Sequence, residues 1–202
     1  MNGTLQLRRA TRDDARLLAD LAARTLRDAY SSSHSPGEVD AHIAANFGPD
    51  RLATELESPK SATFLAFEGE VPCGYATIRI GDLPACVVGP EPVELLRIYL
   101  TADAMGRGHG SALLRSCLEE ARRWRRETMW LGVWEENARA IIFYERWGFR
   151  RVGTHEFVFG GKAYDDLVMA RSITTPHDRP IAPAHHRREG EEPRGSESAR
   201  VS

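Results

Sequence analysis

The sequence predicts a mixed α/β protein, and three observations carry that expectation. Short apolar or alternating runs recur along the chain, among them LQLRR (5–9), TFLAF (63–67), VELLRIYL (93–100) and MWLGVW (129–134). Segments with apolar residues three and four apart stand between them. The resulting order is strand, helices, three strands, helix, strand, helix, two strands, so the two element types interleave around one sheet.

Leu5 and Leu7 alternate with polar residues in the first strand. Thr11 and Asp14 then have the spacing of a helix-capping pair. The helix behind them places Ala15, Leu18, Leu21, Ala22, Thr25, Leu26 and Ala29 on one face. SSSHSPG (31–37) breaks it, and Pro36 opens a short helix with Val39, Ile43 and Phe47 inward. A third helical piece covers about 50–57. TFLAF and CGYATIRI (73–80) form a hairpin across Glu68-Gly69-Glu70, and GDLPACVVGPEP (81–92) is a loop. The strand 93–100 leads through Thr101–Met105 and a glycine loop into a helix striped by Leu113, Leu114, Cys117, Leu118 and Ala121. The strand 129–134 is followed by a helix stopped at Gly148. VGTHEFVF (152–159) and AYDDLVMA (163–170) close the domain as a hairpin.

With 202 residues, 42% of them hydrophobic, the chain can build a core without disulfide or metal staples. A net charge of -2 gives no basic field for nucleic acid or an anionic membrane, and no apolar run is long enough to span one. No secretory signal opens the chain, and three widely spaced cysteines fit neither a disulfide framework nor a zinc pattern, so a cytoplasmic protein without metal is expected. Residues 174–202 hold four prolines and no aromatic residue, too little to offset the entropy of ordering. The expected organisation is a folded domain at 1–173 and a disordered tail at 174–202. Truncation after Ser172 is expected to leave ligand binding by the domain intact.

The chemistry concentrates after Glu94. Gly106, Gly108 and Gly110 alternate where a helix begins, and free N–H groups at such a terminus point at an anion. A phosphate or pyrophosphate is the expected ligand; a turn that merely needs unusual dihedrals is the other reading. A nucleoside-triphosphate loop needs Lys and then Ser or Thr after the last glycine, and here Ser111 and Ala112 follow. A dinucleotide loop needs G-x-G-x-x-G rather than G-x-G-x-G.

LRIYLTADAMGRGHGSALL followed by WLGVWEENARAIIFYERWGF resembles the two signature regions of the GCN5-related N-acetyltransferases (GNAT), over about residues 5–171. The resemblance implies the GNAT fold, a mixed sheet of about six to seven strands flanked by about four helices. It also implies acetyl-CoA as co-substrate. The loop Met105, Gly106, Arg107, Gly108, His109, Gly110, Ser111 would hold the pyrophosphate, with Met105 where most members carry Gln or Arg. Ile98, Tyr99 and Leu100 would pair their backbone with the pantetheine arm, and Asn137 would contact it. The run Asn137, Ala140, Phe143, Tyr144, Gly148, Phe149 is complete, and it implies that Tyr144 protonates the departing thiolate. Glu94, by analogy with a strand glutamate in related enzymes, is the candidate general base; a solvent-facing strand-end carboxylate is its other reading.

Within the family the chain is most similar to the PaiA-type polyamine acetyltransferases, which implies a small amine acceptor such as spermidine. Glu38, Asp40, Glu135, Glu136, Asp165 and Asp166 are the carboxylates available to a polycation. A protein N-terminal or lysine amine is the alternative acceptor, and a silent acetyl-CoA-binding module the alternative function. A homodimer is the other partner considered. His155, alone in a strand, reads as satisfied structure, and Arg122, Arg123, Arg125 and Arg126 with Glu119, Glu120 and Glu127 as a solvated face.

Overall fold

The computed structural model describes residues 4–31 and 33–174. The tail expected at 174–202 lies outside them from residue 175 onward. Seven strands form one sheet: β1 (Leu5–Arg9), β2 (Ser61–Glu68), β3 (Val71–Arg79), β4 (Pro92–Leu100), β5 (Thr128–Trp134), β6 (Arg150–Phe159) and β7 (Lys162–Ser172). Their spatial order is β1-β2-β3-β4-β5-β7-β6, antiparallel except for β4 and β5. The helices are α1 (Ala15–Tyr30), α2 (Pro36–Asn46), α3 (Pro49–Glu57), α4 (His109–Arg123) and α5 (Ala138–Arg146), five in place of about four because the Pro36 and Pro49 pieces both form.

The stripes read from the sequence become two cores on opposite faces of the sheet. Leu113, Leu114, Cys117 and Leu118 of α4 pack on Met129, Leu131, Val133 and Met169, with Trp147 and Phe149 beside them. Leu18, Leu21, Ala22 and Leu26 of α1 pack with Leu52 of α3 on Leu65 and Tyr75. Thr11 and Asp14 form the predicted capping box, the Thr11 N–H donating to Asp14 Oδ2 at 2.8 Å.

Two irregularities shape the centre of the sheet. Thr77 pairs with Arg97 but Ile78 with Leu95, so Leu96 is an extra residue, a β-bulge. It shifts the side-chain parity. Val93, Leu95, Ile98 and Leu100 face α4, while Tyr99 joins the α1 core and Arg97 reaches Glu55 of α3 at 2.6 Å. The second irregularity is that β4 and β5 pair only at Pro92–Thr128, Val93–Met129 and Glu94–Trp130. Beyond Glu94 they part. That gap is the cleft around which the site is built.

The basic cluster on α4 is more than a solvated face. Glu120 is buried and binds Arg9 at 2.6 Å and Arg123 at 3.1 Å, and Arg126 meets Glu91 at 2.5 Å. The truncation point after Ser172 also moves. Ile173 is 1% exposed, its N–H donates to the Glu127 carbonyl at 2.8 Å, and its carbonyl accepts from Arg122 Nε at 3.1 Å. Truncation after Ser172 therefore removes a core side chain, and we expect a loss of about 1.5–3 kcal/mol. Truncation after Thr174 should leave the urea midpoint unchanged, and equal midpoints for the two variants would contradict this boundary.

Candidate active site

The glycine loop sits at the mouth of the gap. Gly106 (φ +78°) and Gly108 (φ +86°) are left-handed, a conformation that disfavours any side chain, and a Cβ at either would meet nothing within 4 Å. Gly108 is the N-cap of α4, whose first turn carries no acidic residue, so its free N–H groups open toward the space beyond the loop. Gly110 faces the other way, and its Cβ position lies 3.6 Å from Leu100 and 3.8 Å from Phe143. Open backbone at a helix N-terminus beside an unpaired strand edge fits a pyrophosphate followed by an extended, amide-bearing arm.

The side chains of this loop have protein partners. Arg107 makes an ion pair with Glu68 at 2.7 Å, and His109, buried, contacts the same carboxylate through Nε2. The Glu68 carboxyl is accordingly held below its ordinary range, by His109 first and by Arg107 as well. Arg139 of α5, which sequence reasoning passed over, donates to Met105 Sδ at 3.2 Å. It brings a guanidinium to the position where the loop itself lacks one. Asn137 caps α5, its side chain accepting from the Ala140 N–H at 3.1 Å.

Inside the gap three tyrosines converge. Tyr144 is 7% exposed and packs against Phe143 and Phe149 with ring centroids at 5.3 and 5.7 Å. Burial raises its hydroxyl pKa, and the neighbouring Tyr99 raises it further. The Tyr99 and Tyr30 hydroxyls stand 3.4 Å apart. Glu94 lies at the closed end of the parting, opposite Trp130, where Arg79 grips it at 2.7 and 3.2 Å. Burial raises the Glu94 pKa and Arg79 opposes the rise. At about 3.3 Å per residue, Glu94 is about 15 Å along β4 from Tyr99. The two predicted catalytic residues lie on different elements, Glu94 on β4 and Tyr144 on α5.

The far wall is aromatic. His34 lies 5.5 Å from Trp134, 4.6 Å from Phe159, 5.1 Å from Tyr164 and 5.1 Å from Tyr30, ring to ring. Tyr30 and Phe159 are 4.6 Å apart, and His42 stacks behind Phe159 at 4.2 Å. Lys162 contacts Glu38 and ties the β6–β7 turn to α2. The carboxylates offered by the sequence do not converge: Glu38 is engaged by Lys162, Asp40 by Arg27 at 2.9 Å, and Glu135, Glu136 and Asp165 are exposed. Asp166 alone of the six is buried in the wall, opposite Trp134 on β5 and His155 on β6.

His155 is not the satisfied residue expected, since its buried Nε2 has no hydrogen-bond partner. A signal for this region was present in the sequence as Gly132, a glycine inside MWLGVW, which marks close approach by another group. Among the described residues no cluster of three or more His, Cys, Asp or Glu side chains could hold a metal, and no helix is long and apolar enough to cross a membrane.

The profile of the acetyltransferase (GNAT) family matches residues 22–149. The chain belongs to the GNAT acetyltransferase family. It is 34% identical over 160 residues to an uncharacterised N-acetyltransferase of Mycobacterium tuberculosis, covering 79% of this chain and 98% of that protein. It is 31% identical over 154 residues to an uncharacterised N-acetyltransferase of Lactobacillus delbrueckii subsp. lactis, covering 76% and 88%. The fold is similar to the PaiA N-acetyltransferase of Thermoplasma acidophilum in complex with coenzyme A, with a TM-score of 0.71 at 19% identity over 84% of this chain and 99% of that one. It is also similar to the ribosomal-protein-S18-alanine N-acetyltransferase of Escherichia coli, with a TM-score of 0.62 at 18% identity over 85% and 96%. This GNAT chain is an N-acetyltransferase with acetyl-CoA as its acetyl donor, and the loop, helix terminus and parted strands are the parts that fit that donor.

Proposed function

We propose that this GNAT enzyme acetylates the primary amine of a small aliphatic cation, with a polyamine such as spermidine as the preferred acceptor. The observation that carries this reading is the ring wall of Tyr30, His34, Trp134, Phe159 and Tyr164 beside the Tyr99 and Tyr144 hydroxyls. Aromatic faces attract a desolvated ammonium and pack its methylene chain. The folded part of the chain holds the net negative charge, because residues 174–202 carry five Arg and five acids.

Acetyl-CoA supplies an activated thioester, so the protein has to orient the amine, remove its proton and protonate the leaving sulfur. Deprotonating an amine of pKa about 10.4 at pH 7 costs about 4–5 kcal/mol. The aromatic wall lowers that cost by excluding water from the ammonium. Backbone groups of Ile98, Tyr99 and Leu100 at the open edge of β4 would hold the donor's arm, and the N–H groups at Gly108–Ser111 its pyrophosphate. Tyr144 would deliver the proton to sulfur. Its raised pKa keeps the hydroxyl protonated throughout the working range.

Purified protein with acetyl-CoA and a panel of amines, followed by release of free thiol, tests this reading. Turnover is expected with spermidine and with simple alkyl diamines. Turnover on a peptide N-terminus or lysine with none on small amines would replace the acceptor class, and binding of acetyl-CoA without turnover on any amine would point to a silent module.

A further inference from the structure

Asp166 is a buried acid without an ion pair. It is 9% exposed, and among the described residues its basic neighbour is His155, which acts on it by charge without a hydrogen bond or ion pair to its carboxylate. Glu38, Glu55, Glu68, Glu94 and Glu120 each have an ion-pair partner. An unpaired buried carboxylate is costly and marks a place where a ligand completes the structure.

Gly132 makes the arrangement around it possible. A Cβ on Gly132 would stand 2.7 Å from His155 Nε2 and 3.4 Å from Asp166 Oδ2, so the imidazole occupies the space that a side chain on β5 would fill and the carboxylate borders it. His155 arrives there from β6, across β7, and its ring meets Trp130 edge-on with centroids 6.3 Å apart. Its Nε2 is buried and unpartnered. The charge of His155 lowers the pKa of both Glu94 and Asp166, so the imidazole is within electrostatic reach of the two carboxylates. Asp166 in turn acts on the hydroxyls of Tyr30 and Tyr99, the same pair that borders Tyr144.

We propose that Asp166, set beside His155 at the space left by Gly132, is the catalytic base that takes the proton from the acceptor's ammonium, in place of Glu94, and that His155 is its positioning residue. This rests on the acetyl-transfer reading above. An ammonium proton moves to an Asp166 oxygen. The freed nitrogen lone pair forms the N–C bond to the acetyl carbonyl carbon as the C–S bond breaks toward sulfur. The Tyr144 proton goes to sulfur, and the second proton on nitrogen restores the tyrosine hydroxyl. Asp166 then releases its proton to solvent, so amine and thioester give amide, thiol and one proton. Burial raises the Asp166 pKa to about 6, and His155 limits the rise. The other groups facing the site are Tyr30 of α1, His34 of the α1–α2 loop, Arg97, Tyr99 and Glu94 of β4, and Tyr144 of α5.

The test compares full-chain wild type, Asp166→Asn, His155→Gln, Gly132→Ala and Glu94→Gln. The readouts are acetyl-CoA affinity by calorimetry and the pH dependence of kcat/KM, with spermidine and 2-phenylethylamine as acceptors. Wild type should lose activity below a midpoint near 6. Asp166→Asn should fall by about 100-fold or more and lose that limb, with acetyl-CoA affinity unchanged. His155→Gln should retain part of the rate with the limb displaced. Gly132→Ala should disturb the pair without removing a titratable group and should displace the same limb. If wild type turns over and Asp166→Asn stays within about threefold of it, the base assignment is overturned, more so if Glu94→Gln loses activity instead. If wild type binds acetyl-CoA but turns over neither amine, the acceptor reading itself fails and the assignment falls with it.

Discussion

Tyr144→Phe should lower kcat by about 100-fold while leaving acetyl-CoA affinity and the melting temperature close to wild type. The substitution removes one oxygen and keeps the ring against Phe143 and Phe149, so packing is retained. What is lost is the proposed proton donor, a buried hydroxyl within electrostatic reach of Tyr99. A coenzyme thiolate is a far better leaving group than an amide or alkoxide, which sets the effect toward the lower end of acid–base contributions. The penalty should be larger at high pH, where solvent offers the fewest protons to an unassisted thiolate. Thiol release across pH 6–9 reads both quantities, and a kcat within threefold of wild type would remove Tyr144 from the proton transfer.

Asp166→Asn should make the protein more stable at pH 8 even as it becomes less active. The folded-state pKa of about 6 lies above the ordinary value near 3.9, so the fold binds the Asp166 proton more tightly than the unfolded chain does. The resulting contribution favours folding below about pH 4 and is lost as pH rises through about 6. Above that window the charged, unpaired carboxylate destabilises the protein by up to about 3 kcal/mol at 1.36 kcal/mol per unit. Asparagine carries no such charge. Thermal melts at pH 8 should therefore place the variant about 3–10 °C above wild type, with the gap closing by pH 4. A variant less stable than wild type at pH 8 would mean that the carboxylate is a structural anchor, not a group strained for function.

The segment from Glu94 to Phe149 was readable because its information is local. Glycines beside a helix start, an N-cap at Asn137 and a tyrosine seven residues later each have a spacing that survives without the rest of the chain. The acceptor wall was not readable in that way. It joins Tyr30 and His34 to Trp134, Phe159, Tyr164 and Asp166, and only the register of β5, β7 and β6 brings those last residues together. Asp166 looked like any of six carboxylates because solubility explains acids on a sequence equally well. The surroundings of Glu94 were hidden for a related reason. Its place in the strand was right, but the Arg79 partner and the Leu96 bulge between it and Tyr99 are products of pairing with β3.

The three-pair seam between β4 and β5 has a consequence of another kind. Most sheets carry their unpaired amides at the outer rims, where a second chain can add a strand and seed aggregation. Here an additional pair of rims runs through the middle of the sheet, along β4 beyond Glu94 and β5 beyond Trp130. Side chains of α4 and α5 stand over one side of it and the Tyr30–Tyr99 pair over the other. A foreign strand would have to bring bulky residues on both faces into a slot that is already walled on both, whereas a thin amide chain carries none. The fold thus keeps a sticky edge in the open state and protects it by width alone.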